Sequence, residues 1–85
     1  MASYTRVSKR LSVPRLASVQ AGPGGVPAAV GGTPVEATRE DWVVEDRWWT
    51  QKPVRRRYFE LVLSDGRNVV VFRDLAAGRW LMQRA

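Results

Sequence analysis

The stretch Ser64-Asp65-Gly66-Arg67 constrains this chain most, because it separates two runs built for extended structure, Val54 to Leu63 and Arg67 to Arg73. Asp-Gly between such runs is a leading signal for a two-residue hairpin turn. With Asp65 and Gly66 as the loop, Leu63 faces Asn68, Leu61 faces Val70 and Phe59 faces Phe72, all on one side. The other side pairs Val62 with Val69, Glu60 with Val71, and Tyr58 with Arg73. That register gives one apolar face and one mixed face, as a half-buried antiparallel sheet requires.

The flanking segments extend the same reading. Val26 to Val30 and Thr33 to Ala37 lie on either side of Gly31-Gly32, a pair suited to a hairpin turn that needs positive φ. Pro27 and Pro34 cannot donate to a ladder, so they belong at edges or strand starts. Trp42 to Trp49 is a further strand, ended by Lys52-Pro53, with a bulge expected near Glu45-Asp46 where alternation fails. Asp74 to Gly78 makes a five-residue connection to a last strand over Arg79 to Arg84, a short helix over 74–83 being disfavoured by Gly78. About five short antiparallel strands predict an all-β meander curling into a small SH3-like or half-open barrel. The domain is expected over 25–85. Residues 1–24 lack a steady period and end in the breaker run Ala21-Gly22-Pro23-Gly24-Gly25, so they are expected to be a flexible, disordered basic leader.

Composition then removes whole classes of chemistry. The chain of 85 residues contains neither cysteine nor histidine. Disulfide staples, thiolate metal sites, cysteine nucleophiles and histidine bases are therefore unavailable. The adjacent acids Glu40-Asp41 and Glu45-Asp46 point to opposite faces of a strand and make poor acid/base dyads. Gly22-Pro23-Gly24-Gly25 lacks the lysine and following helix of a phosphate-binding loop. No enzyme activity, cofactor or metal is expected. No apolar run approaches the roughly 18 residues of a membrane span. Leu11 to Val19 is too broken by Ser12, Pro14, Arg15 and Ser18 for a signal peptide, and the lack of cysteine fits a reducing cytoplasm.

What remains is binding. The formal charge of +6 favours polyanionic partners, nucleic acid first among them. Lys52, Arg55, Arg56 and Arg57 form a basic run in which alternation sends Arg55 and Arg57 to the side of Phe59, and Arg56 to that of Tyr58. Arg47, Arg73 and Arg79 can join from neighbouring strands. Two accounts of these arginines stand open: a phosphate-tracking stripe with aromatics for base stacking, or ion pairs with Glu40, Asp41, Glu45, Asp46 and Glu60. Of the four tryptophans, Trp42 and Trp80 are assigned to the core. Trp48 and Trp49 are neighbours on one strand, so one of them is left exposed to anchor a protein or an unstacked base.

The succession Val43, Trp48-Trp49, Pro53, Arg56, Tyr58-Phe59, Asp65-Gly66, Phe72-Arg73-Asp74 and Gly78-Arg79-Trp80 resembles a known family. It is similar to the small C-terminal β domain of the inactive Y-family polymerase homologue of the bacterial mutasome, and to short stand-alone relatives of that domain. The resemblance covers about residues 24–85, with Gly25-Val26-Pro27 and Pro34-Val35-Glu36 fitting its lead-in. The palm and fingers regions of the full-length members have no counterpart in this sequence. The resemblance implies an adaptor in error-prone translesion synthesis or DNA repair, with DNA and an error-prone polymerase or other mutasome protein as partners. It assigns no residue a role. From the residues themselves, Arg47, Trp48, Trp49, Lys52, Arg55, Arg56, Arg57 and Arg73 are the candidates for contacting nucleic acid or a partner. The alternative is a protein-only interaction module using an exposed sheet edge and a Trp anchor.

Overall fold

In the computed structural model, which describes residues 14–46, 51 and 54–84, the extended runs form one seven-stranded antiparallel sheet. Its strands are β1 (Arg15–Leu16), β2 (Val19–Ala21), β3 (Pro27–Val30), β4 (Thr33–Asp46), β5 (Val54–Leu63), β6 (Asn68–Asp74) and β7 (Arg79–Arg84). A 3-10 turn, Pro23–Gly25, separates β2 from β3. The strand order is β1-β7-β6-β5-β4-β3-β2. The two outermost strands are thus consecutive in the chain, joined only by Ala17 and Ser18. Such a link reaches about 11 Å at most. The sheet must curl until its edges approach, and it does so as a half-barrel. Ala17 N donates to Trp80 O at 3.1 Å, and Gly31 N donates to Ser18 O at 2.7 Å, so the short link touches both sides of the gap.

Alternation along β5 places Phe59, Leu61 and Leu63 on the inner face, each fully buried. Val69 and Val71 of β6 and Val30 of β3 complete the cluster, with Val19, Val26, Val35, Trp80 and Met82 packed around it. Burying a side chain of this size stabilises by roughly 1.5–3 kcal/mol. Trp80 meets the core as expected, its ring 5.8 Å from that of Phe59. Trp42 does not. It lies half-buried on the other face, stacked on Tyr58 at 5.2 Å, because its register partner Tyr58 points away from Phe59.

The central hairpin forms with a different register from the one expected. Its loop has three residues, Ser64 to Gly66: Leu63 N donates to Arg67 O, and Gly66 N to Leu63 O, both at 2.9 Å. Phe59 therefore faces Val71, Leu61 faces Val69, Tyr58 faces Phe72 and Arg57 faces Arg73. The reason lies in the turn. A two-residue type I′ loop needs positive φ at both Asp65 and Gly66, whereas a three-residue loop needs it only at the last position. Gly66 supplies it, at φ 90°. Asp65 then keeps its side chain free to accept from Arg67 N at 3.1 Å and Arg67 Nε at 2.8 Å. Since Val69 to Phe72 is apolar throughout, the slip exchanges one apolar set for the other and leaves the core intact. Val70 and Phe72, now on the second face, are buried as well.

Three other differences are informative. β4 is one strand of 14 residues where two were expected. Its irregularities fall between Val35 and Ala37 and between Thr38 and Glu40, whereas Glu45-Asp46 pairs regularly with Arg55 and Val54. Bulges there let a long strand bend with the curling sheet. The ordered fold also begins upstream of residue 25: β1 and β2 lie within the expected leader, held by open edges of β7 and β3 that a periodicity test cannot register. The Gly31-Gly32 hairpin forms as expected, with φ of 57° and 84° and Val30 opposite Thr33.

The turn carries a pH signature. The Arg67 backbone N–H, and then its guanidinium, hold the Asp65 carboxyl below its ordinary value. A carboxyl lowered in the fold contributes stability above its unfolded pKa of about 3.9 and loses it as pH falls below that value. The melting-temperature advantage of the parent over Asp65→Asn is expected to be present at neutral pH and to shrink through the acid range. A gap that is constant with pH would contradict this.

Candidate functional site

The topology gathers five arginines at one end of the sheet. Arg55, Arg56 and Arg57 open β5, Arg73 is next to last on β6, and Arg79 begins β7. Arg57 and Arg73 face each other across the inner side, while Arg56, Asp74 and Arg79 form one row on the outer side. Like-charged neighbours this close need carboxylates or anions to offset them.

Two of the five are answered from within. Arg55 Nε donates to Glu45 Oε2 at 2.9 Å, its register partner on β4. Arg57 makes a two-pronged pair with Asp41, Nε to Oδ1 at 3.1 Å and Nη2 to Oδ2 at 2.7 Å. Its remaining nitrogen, Nη1, donates to Gly24 O at 2.8 Å, and the guanidinium lies 4.8 Å from the Phe59 ring centre. The hydrogen bond to Asp41, with its charge, raises the Arg57 pKa further, partly opposed by desolvation. Arg57 is therefore a structural tie between β5, β4 and the 3-10 turn. Both pairs follow the ion-pair account of the basic run.

The other three are different. Arg56 lies over Phe72, 4.9 Å from the ring centre, and gives only a long 3.4 Å hydrogen bond to Tyr58 Oη. Its Nε is buried without an acceptor. Arg73 and Arg79 are exposed, and among the described residues neither side chain has an ion pair or hydrogen-bond partner. Asp74, which lies between Arg56 and Arg79 in the row, turns its Oδ1 to Ala76 N at 3.0 Å and Ala77 N at 3.1 Å instead. Arg73 and Arg79 thus present exposed guanidiniums, and Arg56 a half-buried one, with no carboxylate paired to any of the three among the described residues.

Of the expected site residues, Arg55, Arg56, Arg57 and Arg73 come together here, and Arg79 joins them. Arg47, Trp48, Trp49 and Lys52 lie outside the described residues. Of the described aromatics, Tyr58 offers no platform for a base. Tyr58 is stacked between Trp42 and Phe72, at 5.2 and 4.7 Å, so neighbouring rings occupy both of its faces. Sequence reasoning could name Asp41 and Glu45 as neutralising partners, but Gly24 O gave no signal, since a backbone carbonyl has none. Among the described residues no group of His, Cys, Asp or Glu could hold a metal ion, and no helix is long and apolar enough to cross a membrane. Comparison with known proteins returns no matching family model, curated protein or solved structure.

Proposed function

We propose that this domain is a non-catalytic binding module that contacts the phosphate backbone of nucleic acid through Arg56, Arg73 and Arg79. The observation that carries this reading is that three arginines at one sheet end, Arg56 and Arg79 on the outer side and Arg73 on the inner, have no ion pair with a carboxylate among the described residues. Arginine offers forked donors matched to phosphate oxygens, and the +6 charge would steer a polyanion toward them. The wider role, an accessory of error-prone translesion synthesis or DNA repair in the cytoplasm beside a polymerase partner, rests on the resemblance of the Trp48-Trp49, Tyr58-Phe59, Asp65-Gly66 and Gly78-Arg79-Trp80 elements to the mutasome domain. A protein-only module is the second reading. It is favoured by the internal pairing of Arg55 and Arg57, which removes two of the charges a phosphate stripe would use.

Salt dependence separates them. For three phosphate contacts on a single strand, log K against log salt should fall with a slope of about −2. Anisotropy of a labelled oligonucleotide, titrated with the domain from low to moderate salt, measures it. Absence of binding at low salt would remove the nucleic-acid contact and leave the protein-only module.

A further inference from the structure

The half-barrel is closed by very little. Residues 15–21 cross from the β7 edge to the β3 edge with two paired positions on one side and three on the other. Only Val19 of this segment packs on the core, opposite Val30. Leu16 is 69% exposed, and Arg15, Ser18, Gln20 and Ala21 are exposed too. A segment with so few buried apolar contacts opens at the low end of the local stability range. It covers the edges of β7, whose Trp80 and Met82 pack against the core, and of β3, whose Val30 belongs to the core.

We propose that residues 15–21 are a displaceable strap, and that the slot beneath accepts an extended, acidic segment of a partner protein by strand addition. This goes beyond the arginine end and shares only Arg79 with it. The register states what the occupant needs. Arg15 pairs with Met82, Leu16 with Leu81, and Ala17 bonds Trp80, so a segment running straight would next face Arg79. The strap instead crosses there to β3, Ser18 O accepting from Gly31 N, and Arg79 has no ion pair among the described residues, since its register partner Asp74 turns its Oδ1 to Ala76 N and Ala77 N. A partner strand with a carboxylate at that position gains both a longer ladder and an ion pair. A second copy gains neither, because its strap repeats the same pairs and brings Arg15 to an already basic chain. Strand addition of this kind draws affinity from main-chain bonds and specificity from alternate side chains.

The full chain and a fluorescein-labelled peptide matching residues 14–22 test the slot. The Leu16→Cys/Leu81→Cys variant supplies the control. Leu16 and Leu81 are the closely spaced, non-hydrogen-bonded kind of cross-strand pair, since Ala17 and Trp80 beside them carry the bond. The native chain has no cysteine to compete. Peptide anisotropy should rise with the parent and the reduced variant, be lost with the oxidised variant, and return on reduction. A Ser18→Glu peptide should bind more tightly, and a Val19→Asp peptide should not bind. Equal binding by oxidised and reduced chains, or none by any, overturns the slot. No gain from Ser18→Glu overturns the acidic preference. A disulfide-linked dimer on oxidation would identify a second copy as the occupant and overturn the partner assignment. Oligonucleotide titration of the same samples reads the arginine end separately.

Discussion

Phe59→Ala is expected to leave the domain largely unfolded at room temperature. Phe59 is fully buried at the centre of the inner face, between Asp41 on β4 and Val71 on β6, with the Trp80 ring 5.8 Å away. Truncating a buried phenylalanine costs about 3–5 kcal/mol through lost transfer energy and the cavity left behind. A domain of this size holds a net stability of about the same amount. The two magnitudes meet, so the variant has no margin. The Arg57 guanidinium above the ring would lose its partner as well, loosening the tie to Asp41 and Gly24. Val43→Ala, at a side chain more than half exposed, should shift stability by no more than about 0.5 kcal/mol. Urea unfolding followed by far-ultraviolet circular dichroism distinguishes the two. A Phe59→Ala chain with a cooperative transition within about 1 kcal/mol of the parent would show that the inner face is not the organising core.

The extent to which the sequence disclosed this fold varies element by element, for physical reasons. The Gly31-Gly32 hairpin was fully legible because both turn positions require positive φ and only glycine takes it at no cost. At Asp65-Gly66 the hairpin was legible but its register was not. Val69 to Phe72 is apolar at every position, so a slip by one residue carries no burial penalty for a pattern to detect, and turn geometry alone decides. β1 and β2 were not legible at all. Two and three residues are too short to show a period, and their pairing exists only once β7 and β3 have brought their edges close. Trp42 was assigned to the core on size. Its side is fixed by which residue of β5 it faces, and the irregularities earlier in β4 set that pairing. The arginine run was visible as charge, but its division into paired and uncommitted members depends on cross-strand neighbours that only the assembled sheet supplies.

That division yields the largest expected effect on binding. Replacing Arg56, Arg73 and Arg79 together by glutamine should weaken single-stranded oligonucleotide binding about 100-fold at 0.1 M salt. Three contacts at roughly 0.7 counterions each give about two decades between 1 M and 0.1 M salt. The salt slope should flatten toward zero. Arg55→Gln/Glu45→Gln, which removes an ion pair and leaves net charge unchanged, should bind as the parent does, because Arg55 already has its anion at 2.9 Å. Net charge alone is a rival explanation for any loss in the triple variant, since that variant falls from +6 to +3. Arg39→Gln against Arg79→Gln removes that ambiguity. Each deletes one exposed charge, but Arg39 lies on β4, away from the rim where β6 ends and β7 begins. If the contact is local, Arg79→Gln lowers the slope by about 0.7 and Arg39→Gln leaves it unchanged. Equal slopes for the two would show that the chain attracts polyanions by its total charge, and the sheet end would lose its claim to be the site.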